Sequence, residues 1–80
     1  MTTFDKLVEL SKRLRAPDGC PWDRKQTIKS LAKCIEEESG EVLEAIEKED
    51  HENLKEELGD LFFSMIMMMN VAEDEGHFTA

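Results

Sequence analysis

The amino-acid sequence predicts an all-α fold with three helices per chain. Apolar residues recur at intervals of three and four along most of the 80 residues, and nowhere do they alternate with the period of a β-strand. Turn-forming residues at 17–21 and around 50 divide the chain into three periodic stretches. A chain this short forms one domain, residues 1–80, and buries only about 60% of its unfolded surface.

The first helix is predicted over about residues 3–14. Phe4, Leu7 and Leu14 share one face, and Thr2 or Thr3 can cap its start. Pro17-Asp18-Gly19 then forms a turn, because proline presets φ and glycine tolerates a positive φ.

The second helix is predicted from about residue 24 to residue 48, with Asp23 and Gln26 as a capping box. A stripe with alternating spacings of four and three faces a partner helix, and it consists of Leu31, Ile35, Glu38, Val42 and Ala45. A carboxylate therefore lies in the middle of an apolar stripe, with Glu41 on its border. Buried carboxylates are rare unless they are paired or bind metal.

The third helix is predicted to begin after Asp50 and to end near Gly76. Its stripe consists of Leu54, Leu58, Leu61, Met65 and Met68. From Leu61 onward the helix is apolar on nearly all sides, which one small chain cannot cover. The sequence therefore predicts a homodimer or homotetramer that completes a four-helix-bundle-like core around a long antiparallel helix pair, although an ordinary methionine-rich core explains part of the pattern.

Charge and composition exclude several functions. The net charge of −9 argues against binding to nucleic acid or to an anionic membrane. The longest apolar run, residues 61–69, is too short for a bilayer span. Two cysteines outside any zinc-like spacing and an N-terminus without a signal-peptide pattern predict a cytoplasmic protein.

The acidic residues are concentrated in 36–60, where a solvated helix face is the simplest interpretation. If the second and third helices are antiparallel neighbours, however, Glu38 and Glu41 can meet Glu57 and Asp60. Four converging carboxylates repel one another without a cation, and oxygen ligands favour Mg²⁺ or Mn²⁺. Such a site suits phosphoanhydride chemistry.

Other features bear on this metal-site hypothesis. A ferritin-like di-iron site is disfavoured, because His51 lies at a turn and His77 beyond the last helix. Gly40 and Gly59 lie inside helices beside the carboxylates, where each costs about 1 kcal/mol relative to alanine. We expect them to allow close helix packing or to leave room for a ligand.

The sequence resembles the MazG-type nucleoside triphosphate pyrophosphohydrolases over nearly its whole length. EESGE at residues 37–41 followed by ELGD at residues 57–60 is similar to that family's EExxE…ExxD signature. GCPWD at 19–23 with QT at 26–27, and EGHF at 75–78, also resemble family segments. The EExxE pattern alone is weak, whereas the ordered set is specific.

The resemblance implies Mg²⁺-dependent hydrolysis of nucleoside triphosphates, in particular deoxynucleoside triphosphates, to the monophosphate and pyrophosphate. In this family such hydrolysis serves to remove excess or damaged nucleotides. The metal ligands it implies are Glu38, Glu41, Glu57 and Asp60. Glu37, with Glu38, is the implied catalytic pair: Glu37 holds a second metal or orients water, and a carboxylate accepts the proton of that water.

Substrate binding and the alternative function stay open at this point. Trp22 can stack on a nucleobase or anchor its loop, and Lys29 and Lys33 can meet phosphates or form a solvated row with a Lys33–Glu37 pair. Family members continue beyond the EGHF segment with basic residues that contact the nucleotide, whereas this sequence ends at Ala80. Either a partner subunit supplies those contacts or the activity is weakened. The alternative is a non-catalytic helical module for dimerisation or partner binding.

Overall fold

The computed structural model describes residues 1–79, and within that range the regular structure is entirely helical. The helices are α1 (Thr3–Leu14), α2 (Pro21–Arg24), α3 (Ile28–Glu47) and α4 (His51–Asp74). α3 packs along α4, and α1 also packs against α4. Glu41 contacts Glu57, whereas Leu31, earlier on α3, packs with Val71, later on α4. The two long helices therefore run antiparallel, as predicted.

The bounds and cap of α1 confirm the sequence prediction. The Thr2 hydroxyl accepts the backbone N–H of Asp5 at 3.1 Å, and the Asp5 carboxylate accepts the backbone N–H of Thr2 at 3.1 Å. This reciprocal pair satisfies donors that the first turn of a helix leaves free.

The predicted start of the second helix is wrong. The segment divides into the single turn α2 and the long helix α3, separated at residues 25–27. Asp23 does not cap α3: it lies inside α2 and is buried. Pro21 starts α2 because it has no N–H to satisfy, and Thr27, with its hydroxyl accepting from Ser30 N at 3.1 Å, starts α3.

The connection between α3 and α4 and the end of α4 follow the prediction. The Asp50 side chain accepts the Asn53 backbone N–H at 3.2 Å and caps α4. Past the end of α4, Gly76 has a φ of +81°, a left-handed conformation that glycine adopts without strain.

The core lies between the N-terminal half of α3 and the C-terminal half of α4. Leu31, Met67 and Val71 form its buried centre, and Ile28, Phe63 and Met68 pack around them. The stripe predicted on α3 is confirmed, with Leu31, Val42 and Ala45 buried and its other two members half-buried.

The stripe predicted on α4 is wrong in part. Leu58 and Met65 are 48% and 42% exposed, whereas Ile66, Met67 and Val71 are buried. The reason is that α4 contacts both α3 and α1, so its buried surface is wider than one stripe and does not include Leu58 and Met65.

Polar contacts hold α1 against α4. Asn70, which is buried, donates from Nδ2 to the Val8 carbonyl at 3.4 Å, and Arg15 forms an ion pair with Asp74. Across residues 1–79, no helix combines the length and the apolar character needed to cross a bilayer.

Candidate functional site

The antiparallel packing of α3 on α4 brings two of the predicted carboxylates together. Glu41 and Glu57 lie in hydrogen-bonding contact across the interface of the two helices. This contact raises the pKa of Glu57 to about 7, and its burial and the charges of Glu41, Asp60 and Glu56 act in the same direction. A shared proton or another positive charge between its oxygens would therefore stabilise the pair.

One oxygen of this acidic pair (Glu41 and Glu57) is left without a partner. Glu57 is half-buried, and its Oε2 is buried and accepts no hydrogen bond within residues 1–79. Burying a carboxylate oxygen without a donor is costly, and a bound cation would compensate it. The donors around it, oxygens throughout, suit Mg²⁺ or Mn²⁺ rather than zinc.

Glu38 lies one turn before Glu41 on α3 and is half-buried. Its Oε1 accepts a hydrogen bond of 2.5 Å from the hydroxyl of Ser64 on α4. Sequence reasoning missed Ser64, although two signals point to it. It is a polar residue inside the apolar stretch 61–69, and it lies seven residues after Glu57, on the same face of α4.

Three of the predicted carboxylates, Glu37, Glu41 and Asp60, are exposed. Glu37 lies on the solvent-facing side of α3, and Asp60 is exposed on α4, close enough for its charge to act on Glu57. As the side chains are arranged in residues 1–79, no three His, Cys, Asp or Glu residues stand close enough together to hold a metal ion. The four-carboxylate site therefore stays a prediction, of which the Glu41–Glu57 contact is the part brought together here.

The two helical glycines leave open space. A Cβ atom built on Gly40 or Gly59 meets nothing within 4 Å. Close helix packing within the described chain is therefore not their role, and the expectation that they leave room for a ligand stays a prediction. Gly19 differs, since a Cβ there would lie 2.4 Å from the carbonyl oxygens of Arg13 and Leu14. This glycine lets the connection between α1 and α2 pass close to the end of α1.

The predicted substrate-binding residues are exposed, and no contact between them is seen within residues 1–79. Trp22, on α2, is 56% exposed, which fits poorly with a role as a loop anchor. Lys29 and Lys33 are exposed on α3, and within residues 1–79 Lys33 forms no ion pair with Glu37. Their roles stay predictions.

Comparison with known proteins identifies the family. The family model described as "MazG nucleotide pyrophosphohydrolase domain" matches residues 26–80. The chain is 44% identical over 79 residues to a nucleoside triphosphate pyrophosphohydrolase of Escherichia coli K12, covering 98% of this chain and 30% of that protein. It is 42% identical over 76 residues to the nucleoside triphosphate pyrophosphohydrolase/pyrophosphatase MazG of Thermotoga maritima, and this match covers 95% of this chain and 30% of that protein.

A solved structure shares the fold. The crystal structure of a mazG-related protein from Thermotoga maritima matches with a TM-score of 0.80 at 34% identity, covering 92% of this chain and 63% of that one. The helical fold is therefore that of a MazG-related protein, and this chain belongs to the MazG nucleotide pyrophosphohydrolase domain family. The chain spans less than a third of the length of these two curated relatives.

Proposed function

We propose that this chain is a Mg²⁺-dependent nucleoside triphosphate pyrophosphohydrolase domain that converts its substrate to the nucleoside monophosphate and pyrophosphate. One observation carries the proposal: beside Glu41, Glu57 presents a buried carboxylate oxygen that has no hydrogen-bond partner among residues 1–79. The names of the relatives from Escherichia coli and Thermotoga maritima support the same reaction. Deoxynucleoside triphosphates are the proposed substrates, in the removal of excess or damaged nucleotides.

The metal would be held by Glu38, Glu41, Glu57 and Asp60. The acidic pair fits a cation because two carboxylates in contact repel each other, and because Glu57 Oε2 accepts no hydrogen bond within residues 1–79. When bound, Mg²⁺ or Mn²⁺ neutralises triphosphate charge and lowers the pKa of a coordinated water.

The chain's own side chains supply the proton acceptor. Glu37 is exposed beside Glu38 on α3, so it can orient a water molecule and accept its proton as the α–β phosphoanhydride bond breaks. Glu38 has one oxygen occupied by Ser64, and its other oxygen is available for metal or water. Pyrophosphate then departs with the bridging oxygen. Lys29, Lys33 and Trp22, all exposed, are the proposed contacts for phosphates and base.

Self-association is part of the proposal. Phe62 and Met65 are 40% and 42% exposed on α4. A shallow pocket with an apolar lining includes both of them together with Ile28, Met68, Met69, Ala72 and Phe78. A second copy covering this face, in a homodimer or homotetramer, would complete a four-helix-bundle-like core and bury apolar area at about 25 cal/mol per Å². We further place the protein in the cytoplasm, with no nucleic-acid or membrane partner, given its charge of −9 and its two free cysteines.

The test is pyrophosphate release. The purified chain is incubated with a panel of deoxynucleoside triphosphates and Mg²⁺, beside the Glu38→Gln variant, which removes a charge at nearly constant shape. We expect release by the wild type and its loss in the variant. Glu52→Gln, an exposed substitution in the first turn of α4, is the matched control and should release pyrophosphate like the wild type.

The second candidate is a non-catalytic module that dimerises or binds a partner protein. Its support is the exposed apolar face around Phe62 and Met65, together with the absence of a gathered three-carboxylate group in residues 1–79. A folded wild-type chain that releases no pyrophosphate from any member of the panel would favour this function.

A further inference from the structure

The hydrogen bond between Ser64 and Glu38 is a polar contact in an otherwise apolar part of α4. Ser64 is half-buried, and its immediate neighbours in the sequence are Phe63 and Met65. Its hydroxyl donates to Glu38 Oε1 at 2.5 Å, a distance typical of strong bonds between a hydroxyl and a carboxylate. A serine within a helix more often returns its hydroxyl to the carbonyl four residues earlier, so the direction of this bond is informative.

The position of the contact relates it to the acidic pair. Ser64 lies seven residues after Glu57, two turns along the same face of α4, while Glu38 lies one turn before Glu41 on α3. The bond therefore lies on the same interface as the Glu41–Glu57 contact, next to it along the hairpin. A glutamate side chain has three rotatable bonds, and fixing one of its oxygens restricts where the other can lie.

We propose that Ser64 is a positioning residue: it holds Glu38 through Oε1 on the interface of α3 and α4, and this leaves Oε2 to turn, with its charge, toward a divalent cation at the acidic pair. Within residues 1–79 Glu38 is not yet gathered with that pair, so the cation would have to draw Oε2 toward it. This inference rests on the proposed function, and it adds a residue that lies outside the acidic signature. Groups that hydrogen-bond to a metal ligand orient it, and their removal typically weakens metal affinity or activity by 10- to 100-fold.

The experiment measures Mn²⁺ binding to the full chain without nucleotide, by the loss of the electron paramagnetic resonance signal of free Mn²⁺. Ser64→Ala removes the donor, and we expect its Kd to rise by about 10-fold or more. Ser64→Thr keeps the hydroxyl, and we expect its Kd to stay within about threefold of the wild-type value. Ser39→Ala is the matched control, because Ser39 is also half-buried beside Glu38, while its hydroxyl forms no hydrogen bond within residues 1–79.

A melting curve in EDTA accompanies each variant. A merely structural Ser64 would lower the melting temperature and leave the Mn²⁺ Kd of the folded chain unchanged, which overturns the inference. Ser64→Cys, similar in size with a weak donor, replaces Ser64→Ala if the alanine variant does not fold, and the same rise in Kd is expected.

Two failures are distinguishable. A wild-type chain that binds no Mn²⁺ overturns both the inference and the proposed metal site. A wild-type chain that binds Mn²⁺ and releases pyrophosphate, while Ser64→Ala binds equally well, overturns the inference alone. In the expected case the turnover at saturating Mg²⁺ recovers in Ser64→Ala, because the defect lies in holding the metal.

Discussion

At the open end of the α3–α4 hairpin, Leu31 packs against Met67 and Val71, and all three are at most 3% exposed. Nearer the connection, the same two helices meet through Glu41 and Glu57, and one buried carboxylate oxygen has no hydrogen-bond partner in the described part of the chain. The first region is arranged as a stable core, whereas the second pairs like charges at a helix interface. If the proposed function holds, the residues that stabilise the fold and those that act on the substrate are concentrated at different levels of one hairpin.

The largest expected effect on folding lies at the core end. Leu31→Ala should reduce the free energy of unfolding by about 2–5 kcal/mol, because it leaves a cavity against Met67 and Val71. Leu43→Ala, at a side chain that is 65% exposed on the same helix, should change it by less than about 0.5 kcal/mol. Urea unfolding monitored by circular dichroism measures both. Equal losses would mean that the core does not lie where the packing puts it.

The next effect concerns the apolar face of α4. Phe62→Glu should convert the expected oligomer to a monomer, because it places a charge in the middle of the face that a second copy would cover. Light scattering with size-exclusion chromatography gives the mass. Leu10→Glu, at a residue 46% exposed on α1, is the control and should leave the mass unchanged. A wild-type chain that is monomeric at all concentrations would contradict the proposed self-association.

The acidic pair should give the metal-free chain a distinctive pH dependence. The pKa of Glu57 is about 7 in the folded chain against its ordinary value of 4.5, chiefly because of the hydrogen bond with Glu41. Between these pH values the folded chain keeps a proton that the unfolded chain has released. The stability contributed by that proton is therefore complete below pH 4.5 and is lost as the pH rises through about 7.

Glu57→Gln tests this dependence. The variant should lose the downward slope of unfolding free energy between pH 4.5 and 7, measured in EDTA, while Glu52→Gln should keep it. Mg²⁺ should restore stability to the wild type above pH 7, since a cation takes the place of the proton. A slope that survives in Glu57→Gln would assign it to another group.

The sequence predicted the parts of the fold that depend on local chemistry. The Thr2 and Asp50 caps and the bounds of α1 follow from side chains adjacent in sequence, and they were correct. The start of α3 was misplaced because Pro21 begins a separate turn, a signal that competed with the Asp23–Gln26 spacing. The prediction of the stripe on α4 was wrong in part for another reason. Phenylalanines and methionines lie on several faces of the helix, so the periodicity of apolar residues could not show which face is buried.

The candidate site, like the fold, has a part that the sequence predicted and a part that it did not. The EESGE and ELGD segments marked the acidic pair from sequence, because an antiparallel hairpin brings those positions to one level. The polar position of Ser64 in an apolar stretch marks it in the sequence, but its bond to Glu38 depends on the register of α4 against α3, which the sequence pattern does not give. Residue spacing thus identified the acidic groups, and only packing identified the donor that holds one of them.

The smallest expected effect distinguishes two kinds of glycine. Gly40→Ala should raise the free energy of unfolding by up to about 1 kcal/mol, because alanine is the better helix former and its Cβ meets nothing within 4 Å. Gly19→Ala should lower it, since its Cβ would lie 2.4 Å from two carbonyl oxygens. If the space at Gly40 receives a ligand, Gly40→Ala should also slow pyrophosphate release while the chain becomes more stable. Unchanged release would mean that Gly40 has no role in the site. The open space beside it, which makes the substitution favourable for folding, would then hold only solvent.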